Sequence, residues 1–349
     1  LAEIWQGRRL GPVAAVATVG VDAAFGWSER HNRLRELANN REAIYYAQGH
    51  ASGLDGLIFD TLALLRSAPK RGWRAPALLH DSRPLLAELR LVKDAHEQAV
   101  MAEAGLISAE AHCRAMRCCR PGMFEYQLEA EILHCFAMAG ARSPAYNSIV
   151  GGGDNACILH YTENNCRLVD GQLVLIDAGA ELGGYAADIT RTFPINGRFS
   201  QPQRQLYEIV LAAQLAAIAT VRPGSTIEAA ATAAIAVLTQ GLVTLGILKG
   251  EMEALIAGEA YKPYFMHGIG HWLGLDVHDV GEYKPGGQPR PLLPGMVLTI
   301  EPGLYIAPDA EVDGQWRGIG IRIEDNLLVT ASGHQLLTAA APKSVAEIE

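Results

Sequence analysis

Two apolar runs in this chain end in a carboxylate six residues after a glycine: Gly171-Gln-Leu-Val-Leu-Ile-Asp177 and Gly295-Met-Val-Leu-Thr-Ile-Glu301. Each run reads as a strand that turns back through a hairpin to a second acid, Asp188 in ADITRTFP and Glu324 in IRIEDN. Burying one ionised carboxylate without a partner is costly. Four converging on apolar strands would repel one another unless they were protonated or bound cations. Bound metal ions are the reading that keeps all four ionised.

Residues 267 to 279 read HGIGHWLGLDVHD, which adds His267, His271 and His278 to the acids. Gly268 and Gly270 argue against a helix, so an extended or looped backbone is expected, with positions 267, 269 and 271 on one face. One imidazole joined to four carboxylates makes an oxygen-rich set, suited to hard or borderline dications such as manganese rather than to a thiolate-type site. Two such ions about 3.5 to 4 Å apart acidify a shared water and polarise a neighbouring carbonyl. That is hydrolytic chemistry.

The elements that must carry these residues can be read from pattern. Leu1 to about Leu91 alternates strand (VAAVATVGVD), helix (SERHNRLRELANN), strand (AIYYAQG), helix (LDGLIFDTLALLRS) and strand (PALLHDSRP), which predicts a small α/β domain. From Lys93 onward apolar residues recur at helical intervals, so a boundary is expected near residue 91, with a second domain at 92–349. Within it, Arg120-Pro121-Gly122 and Arg222-Pro223-Gly224 each precede a helix, a long insertion and one of the acid-ending strands. The echo predicts two similar halves facing each other across one site.

Composition narrows the partners. The 349 residues are 49% hydrophobic with a formal net charge of -9, and Lys and Arg are scattered. This excludes an electrostatic footprint for nucleic acid or an anionic membrane. No uninterrupted apolar run is read as a membrane span. Cys113, Cys118, Cys119, Cys135, Cys157 and Cys166 lack zinc-ribbon spacing and are expected to be reduced thiols in a cytoplasmic protein. Leu1 in place of a methionine suggests that the true start lies upstream. His112, His134 and His334 lack ligand spacing, and Gly151-Gly152-Gly153-Asp154 lacks the lysine of a phosphate loop and is read as a turn.

The stretches IDAGAELGGYAADITRTFP, FMHGIGHWLGLDVHD, TIEPGLYIAP and GIGIRIED together resemble the dinuclear pita-bread metallopeptidases, most closely the bacterial Xaa-Pro aminopeptidase (aminopeptidase P) family. The resemblance covers almost the whole chain, residues 1–91 resembling only the later part of that family's amino-terminal domain. It implies an α+β catalytic domain with a pseudo-symmetric curved antiparallel sheet behind a partial α/β domain. It implies Asp177, Asp188, His271, Glu301 and Glu324 as ligands to two divalent ions, most simply manganese with zinc or cobalt as alternatives, and Asp188 and Glu324 as the bridging pair. His160, His267 and His278 are implied to hold substrate and stabilise the tetrahedral intermediate, and Tyr305 and Arg322 to support the site. The implied reaction is release of the first residue from peptides with proline second, a hydroxide between the ions attacking while Glu301 shuttles a proton. A homo-oligomer, dimer or tetramer, is implied as well.

Prolidase, the Xaa-Pro dipeptidase, shares the fold and ligand set and is the nearest rival. Residues 1–91 count against methionine aminopeptidase, and the intact five-residue set counts against creatinase-like hydrolases and a non-catalytic pita-bread binding module.

Overall fold

The computed structural model describes residues 2–349. It divides into two compact units, one ending at Leu86 and one running Ala87–Glu349. The first holds helices α1 (Ala2–Gln6), α2 (Gly11–Val19) and α3 (Arg30–Ala38), then strand β1 (Ala43–Tyr46), helix α4 (Ser52–Ser67) and strand β2 (Leu78–Asp81). β1 and β2 pair in parallel, Ala43 opposite Leu78 and Tyr46 opposite Asp81. α4 is the crossover and buries Ile58, Leu62 and Leu65. This is the expected α/β character, with one correction: the stretch read as a strand at VAAVATVGVD is mostly the helix α2. Pro12 sits in its first turn, where the missing N–H is harmless, and Gly20 closes it at φ 73°. Ala14, Ala15 and Ala17 outweigh the β-branched valines between those two signals.

Helix α5 (Arg83–Leu91) carries the chain across the division. There follow α6 (Ala95–Cys118), α7 (Glu125–Met138), β3 (Ser143–Pro144), β4 (Ile149–Gly152), β5 (Leu173–Asp177), β6 (Ala180–Leu182), β7 (Tyr185–Ala186) and β8 (Thr190–Pro194). The chain continues with α8 (Gln201–Thr220), α9 (Ile227–Thr244), α10 (Met252–Ala257), β9 (Val297–Ile300), β10 (Gly303–Ile306), β11 (Ile319–Arg322), β12 (Asp325–Val329), β13 (His334–Leu336) and α11 (Val345–Ile348). The long helices start on side-chain caps. Asp94 accepts from the His96 and Glu97 amides while Glu97 returns a bond to Asp94, and Ser200 and Thr226 cap α8 and α9. Each cap is worth about 1 kcal/mol.

The echo in the sequence is matched element by element. Each half has a helix, Arg-Pro-Gly, a second helix, a strand leading to the first acid, an inner hairpin, and a second acid beside an outer strand. The inner hairpins are β6–β7 between Asp177 and Asp188, and β10–β11 between Glu301 and Glu324. The outer pairs are antiparallel, β5 with β8 and β9 with β12, so that Asp177 lies opposite Thr190 and Ile300 opposite Asp325. In one half Leu128, Ile132 and Phe136 of α7 pack on Val150, Val174, Ile176 and Phe193. In the other, Leu206, Val210, Ala230 and Leu238 of α8 and α9 share a core with Leu298, Leu304, Ile321 and Leu327. Every residue of β5, β8, β9, β11 and β12 is buried. Helices cover one face of these strands, and the acids sit at the ends and turns of the other.

By length and mean hydropathy α9 would pass for a membrane span, although Glu228, Thr232 and Gln240 interrupt its apolar run. It packs instead against α8, burying Ala230, Ala234, Leu238 and Leu242.

Candidate active site

Residues 267–273 run extended beside β9. The Thr299 amide donates to His271 O at 2.9 Å, and the Glu301 amide to Ile269 O at 2.8 Å. A Cβ on Gly270 would lie 1.9 Å from Thr299 O, so only glycine permits this approach. His267 and His271 both reach the cavity, but Ile269 between them turns into the core. Simple alternation from 267 to 271 therefore does not hold: this segment is not a regular strand. At the other acid pair, a Cβ on Gly179 would lie 1.7 Å from Ala187 O, which draws Asp177 and Asp188 together across their inner hairpin.

One cavity of about 320 Å³ is lined by His160, Asp177, Asp188, His267, His271, His278, Glu301, Arg322 and Glu324. Tyr305 stands just behind it. The ten residues singled out from the sequence are thus in one place. A second cavity of about 540 Å³ shares His160, Asp177, Asp188 and His278 with it and adds Tyr146, Asn147, Thr162 and Asp276.

The hydrogen bonds fix the state of each group. His271 Nδ1 lies 3.0 Å from Trp272 O, so Nδ1 carries the proton and Nε2 presents a lone pair to the cavity. That lone pair faces Asp188 Oδ2 at 3.3 Å and Glu301 Oε1 at 3.6 Å. Acceptors pointed at one another at these distances need a proton or a cation between them. Ligand atoms of Asp188, His271 and Glu324 all lie within 4.8 Å of each other. Glu324 Oε1 is buried without a partner, while Oε2 accepts from Thr190 Oγ1 at 2.7 Å. An orphaned buried carboxylate oxygen beside an imidazole lone pair fits a bound dication.

The same crowding shows in the acidities. Burial, then the charge of Asp177, hold the Asp188 carboxyl well above the usual range. Burial, then Asp188, do the same to Glu324, and Glu301 is pushed up to about 8 by burial and then Glu324. Arg322 is the counter-charge within the cluster: Nη2 donates to Asp177 Oδ2 at 2.7 Å and Nε to Thr190 Oγ1 at 3.0 Å. Arg322 Nη1 donates to the Tyr305 hydroxyl at 2.9 Å, so that hydroxyl must give its own proton to His267 Nε2, 2.8 Å away. His267 Nδ1 then carries the ring proton and donates to Gly268 O at 2.8 Å. His267 is neutral, its pKa lowered to about 4, chiefly by burial and next by Arg322. Both its nitrogens are engaged, so holding substrate through the ring would require exchange of one of these bonds. His278, whose pKa is lowered by burial and then by His271, meets the His271 ring edge-on at 4.2 Å between centroids.

Sequence reasoning missed Tyr146. Its hydroxyl lies 2.5 Å from both Asp177 Oδ1 and Asp188 Oδ1. No periodic signal marks it, because it enters from the irregular segment before β4. Thr190 and Thr299 were also missed, though each is a buried polar residue two positions from an acid, and Thr299 is the one polar residue of its strand.

The profile of metallopeptidase family M24 matches residues 99–331. The chain belongs to metallopeptidase family M24. This M24 chain is 54% identical to the Xaa-Pro aminopeptidase of Escherichia coli over 100% of its own length and 79% of that protein's. It is 50% identical to that of Haemophilus influenzae, with 100% and 78% covered. Among solved structures it matches proline aminopeptidase P II from Yersinia pestis with a TM-score of 0.95 and 56% identity, over 99% of this chain and 80% of that one. It matches zinc-substituted E. coli aminopeptidase P in complex with product with a TM-score of 0.96 and 54% identity, over 99% and 79%. The curved, open pita-bread architecture expected of the second unit is therefore the fold of this family.

Proposed function

We propose that this chain is a metal-dependent aminopeptidase that releases the first residue from peptides with proline in second place. The observation that carries the reading is the meeting of Asp177, Asp188, His271, Glu301 and Glu324 on one cavity, in an M24 fold. These five would hold two divalent ions, which we take to be manganese. Divalent ions bound there supply an acidified water and a Lewis acid for the scissile carbonyl.

The residues around them do the remaining work. Glu301 takes a proton at its carboxylate and passes it to the proline nitrogen, which leaves as a secondary amine and needs one. His278, neutral at working pH, donates a hydrogen bond to the oxygen that develops negative charge. His160 stands at the rim common to both cavities and orients the substrate backbone. The Arg322–Tyr305–His267 relay sets a counter-charge against Asp177 and fixes the wall of the cavity. An Xaa-Pro bond has no amide N–H and a fixed ring, so the site must grip the carbonyl, the amine and the ring.

Six unpaired cysteines suit a reducing compartment, and we place the protein in the cytoplasm as a homo-oligomer. A substrate panel tests the reading: a proline-second tripeptide, the matching Xaa-Pro dipeptide and an alanine-second tripeptide, each with manganese. The proline-second tripeptide is expected to be cleaved fastest. Strong preference for the dipeptide would make the enzyme a dipeptidase instead, and cleavage of the alanine peptide alone would end the proposal.

A further inference from the structure

His160 is exposed, and its ring has no hydrogen-bonding protein partner among the described residues. Its place at the rim is therefore set by the backbone that carries it. That backbone is the segment joining β4 to β5. Its glycine run is a close approach: a Cβ on Gly151 would lie 2.9 Å from the Asn155 carbonyl.

Both flanks of His160 converge on one buried side chain. Glu125, the first residue of α7, is 0% exposed. Its Oε1 accepts from the Gly152 amide at 2.8 Å and from Asn155 Nδ2 at 3.0 Å, ahead of His160. Its Oε2 accepts from the Tyr161 hydroxyl at 2.8 Å and from the Cys166 amide at 2.8 Å, after it. The Glu125 amide donates in turn to Cys166 O at 3.0 Å. A carboxylate offers about four lone-pair sites, and here all four are spent on a single loop. Neither the metal cluster nor the relay through Arg322 touches Glu125.

We propose that Glu125 is the positioning residue of His160: its carboxylate ties the two ends of the Gly152–Cys166 segment together and so holds the imidazole over the reacting bond. The proposal rests on the functional reading above for the role of His160, and on geometry alone for the clamp. Glu125→Gln keeps the shape but turns an NH₂ toward two donors, opening one side of the clamp. Glu125 acts through His160, so its loss matters only while His160 is present.

The test is a double-mutant cycle on the manganese-loaded enzyme, comparing wild type, Glu125→Gln, His160→Ala and the double variant on a proline-second tripeptide. Amide hydrogen exchange and bound manganese are measured alongside. Glu125→Gln is expected to lower kcat/KM by roughly tenfold, the lower end of what losing an orienting group costs, and to speed exchange across 153–166 with metal content unchanged. The double variant is expected to match His160→Ala within about twofold, since coupled groups do not add. Multiplicative losses, or wild-type exchange in Glu125→Gln, would overturn the proposal. If Glu125→Gln fails to fold, Tyr161→Phe, which removes one of the four bonds, carries the same cycle with a smaller loss and the same criteria. If wild type shows no turnover, the functional reading falls, and the exchange measurement alone decides the clamp.

Discussion

Arg322 Nη2 donates to Asp177 Oδ2 at 2.7 Å, and both side chains are buried. This pair is the only direct ion pair that an arginine or lysine makes with Asp177, Asp188, Glu301 or Glu324 among the described residues. Arg322→Ala leaves Asp177 buried and uncompensated, a loss of about 3–5 kcal/mol when one partner of a buried pair is removed. Urea denaturation of the chelated protein should show that loss, and manganese, by restoring positive charge, should recover part of it.

Tyr146 spans Asp177 and Asp188, yet a phenol has one proton to donate. It supports whichever carboxylate bears more charge. Tyr146→Phe is expected to fold normally and to weaken manganese affinity and kcat by about 10-fold or more, as when other groups that orient metal ligands are lost. Titration of manganese into the chelated variant, followed by heat, measures it. Wild-type affinity would show that the hydroxyl is incidental.

The acid cluster makes stability depend on pH in a defined direction. Glu301, raised to about 8 in the folded chain, has an unfolded value of about 4.3. Between those values the folded state binds more protons, so its stabilising contribution, complete below the unfolded value, declines as pH rises. Neutral buried His267, lowered to about 4, acts in the opposite sense, but only below its unfolded value of about 6.5. From about pH 6.5 to pH 8 the metal-free protein should therefore lose stability, by at most about 1.4 kcal/mol per pH unit for each carboxyl that stays protonated. Thermal melts in chelator should fall across that interval, while melts in manganese, where cations replace protons, should stay flat or rise. A rising melt in chelator would contradict the acidities described above.

Glu324→Gln separates stability from function. The carboxyl is already favoured in its neutral form, with Oε1 unpartnered and Oε2 bonded to Thr190. An amide of the same shape should leave the metal-free protein as stable as wild type at pH 8, or slightly more so, while turnover falls to background. Equal loss of both would mean that Glu324 is structural.

What was legible in the sequence follows from the physics of each residue. The acids were readable because a carboxylate at the end of an apolar strand is costly and needs a reason. Arg322 lies two positions before Glu324, as Thr190 lies two after Asp188. Strand periodicity alone puts both pairs on shared faces, yet only Arg322 was picked up, through the resemblance. Tyr146 reaches the site from a loop whose path no local pattern sets. Glu125 was invisible because an acid in the first turn of a helix is ordinary there. Only the folded chain shows four donors from one loop gathered on it. VAAVATVGVD reads as a strand, yet Pro12 and Gly20 bound an alanine-containing stretch that folds as α2. Ile269 was placed on the face of its flanking histidines by an alternation that an irregular segment does not keep.

Divalent ions, on this reading, make the acid cluster both tolerable and reactive. Chelated protein should be titrated with manganese while bound metal per chain and cleavage of a proline-second tripeptide are followed together. No turnover is expected without metal, with binding that saturates at two ions per chain and activity that rises with occupancy. Full activity in metal-free protein, or a chain that binds no manganese at all, would contradict it.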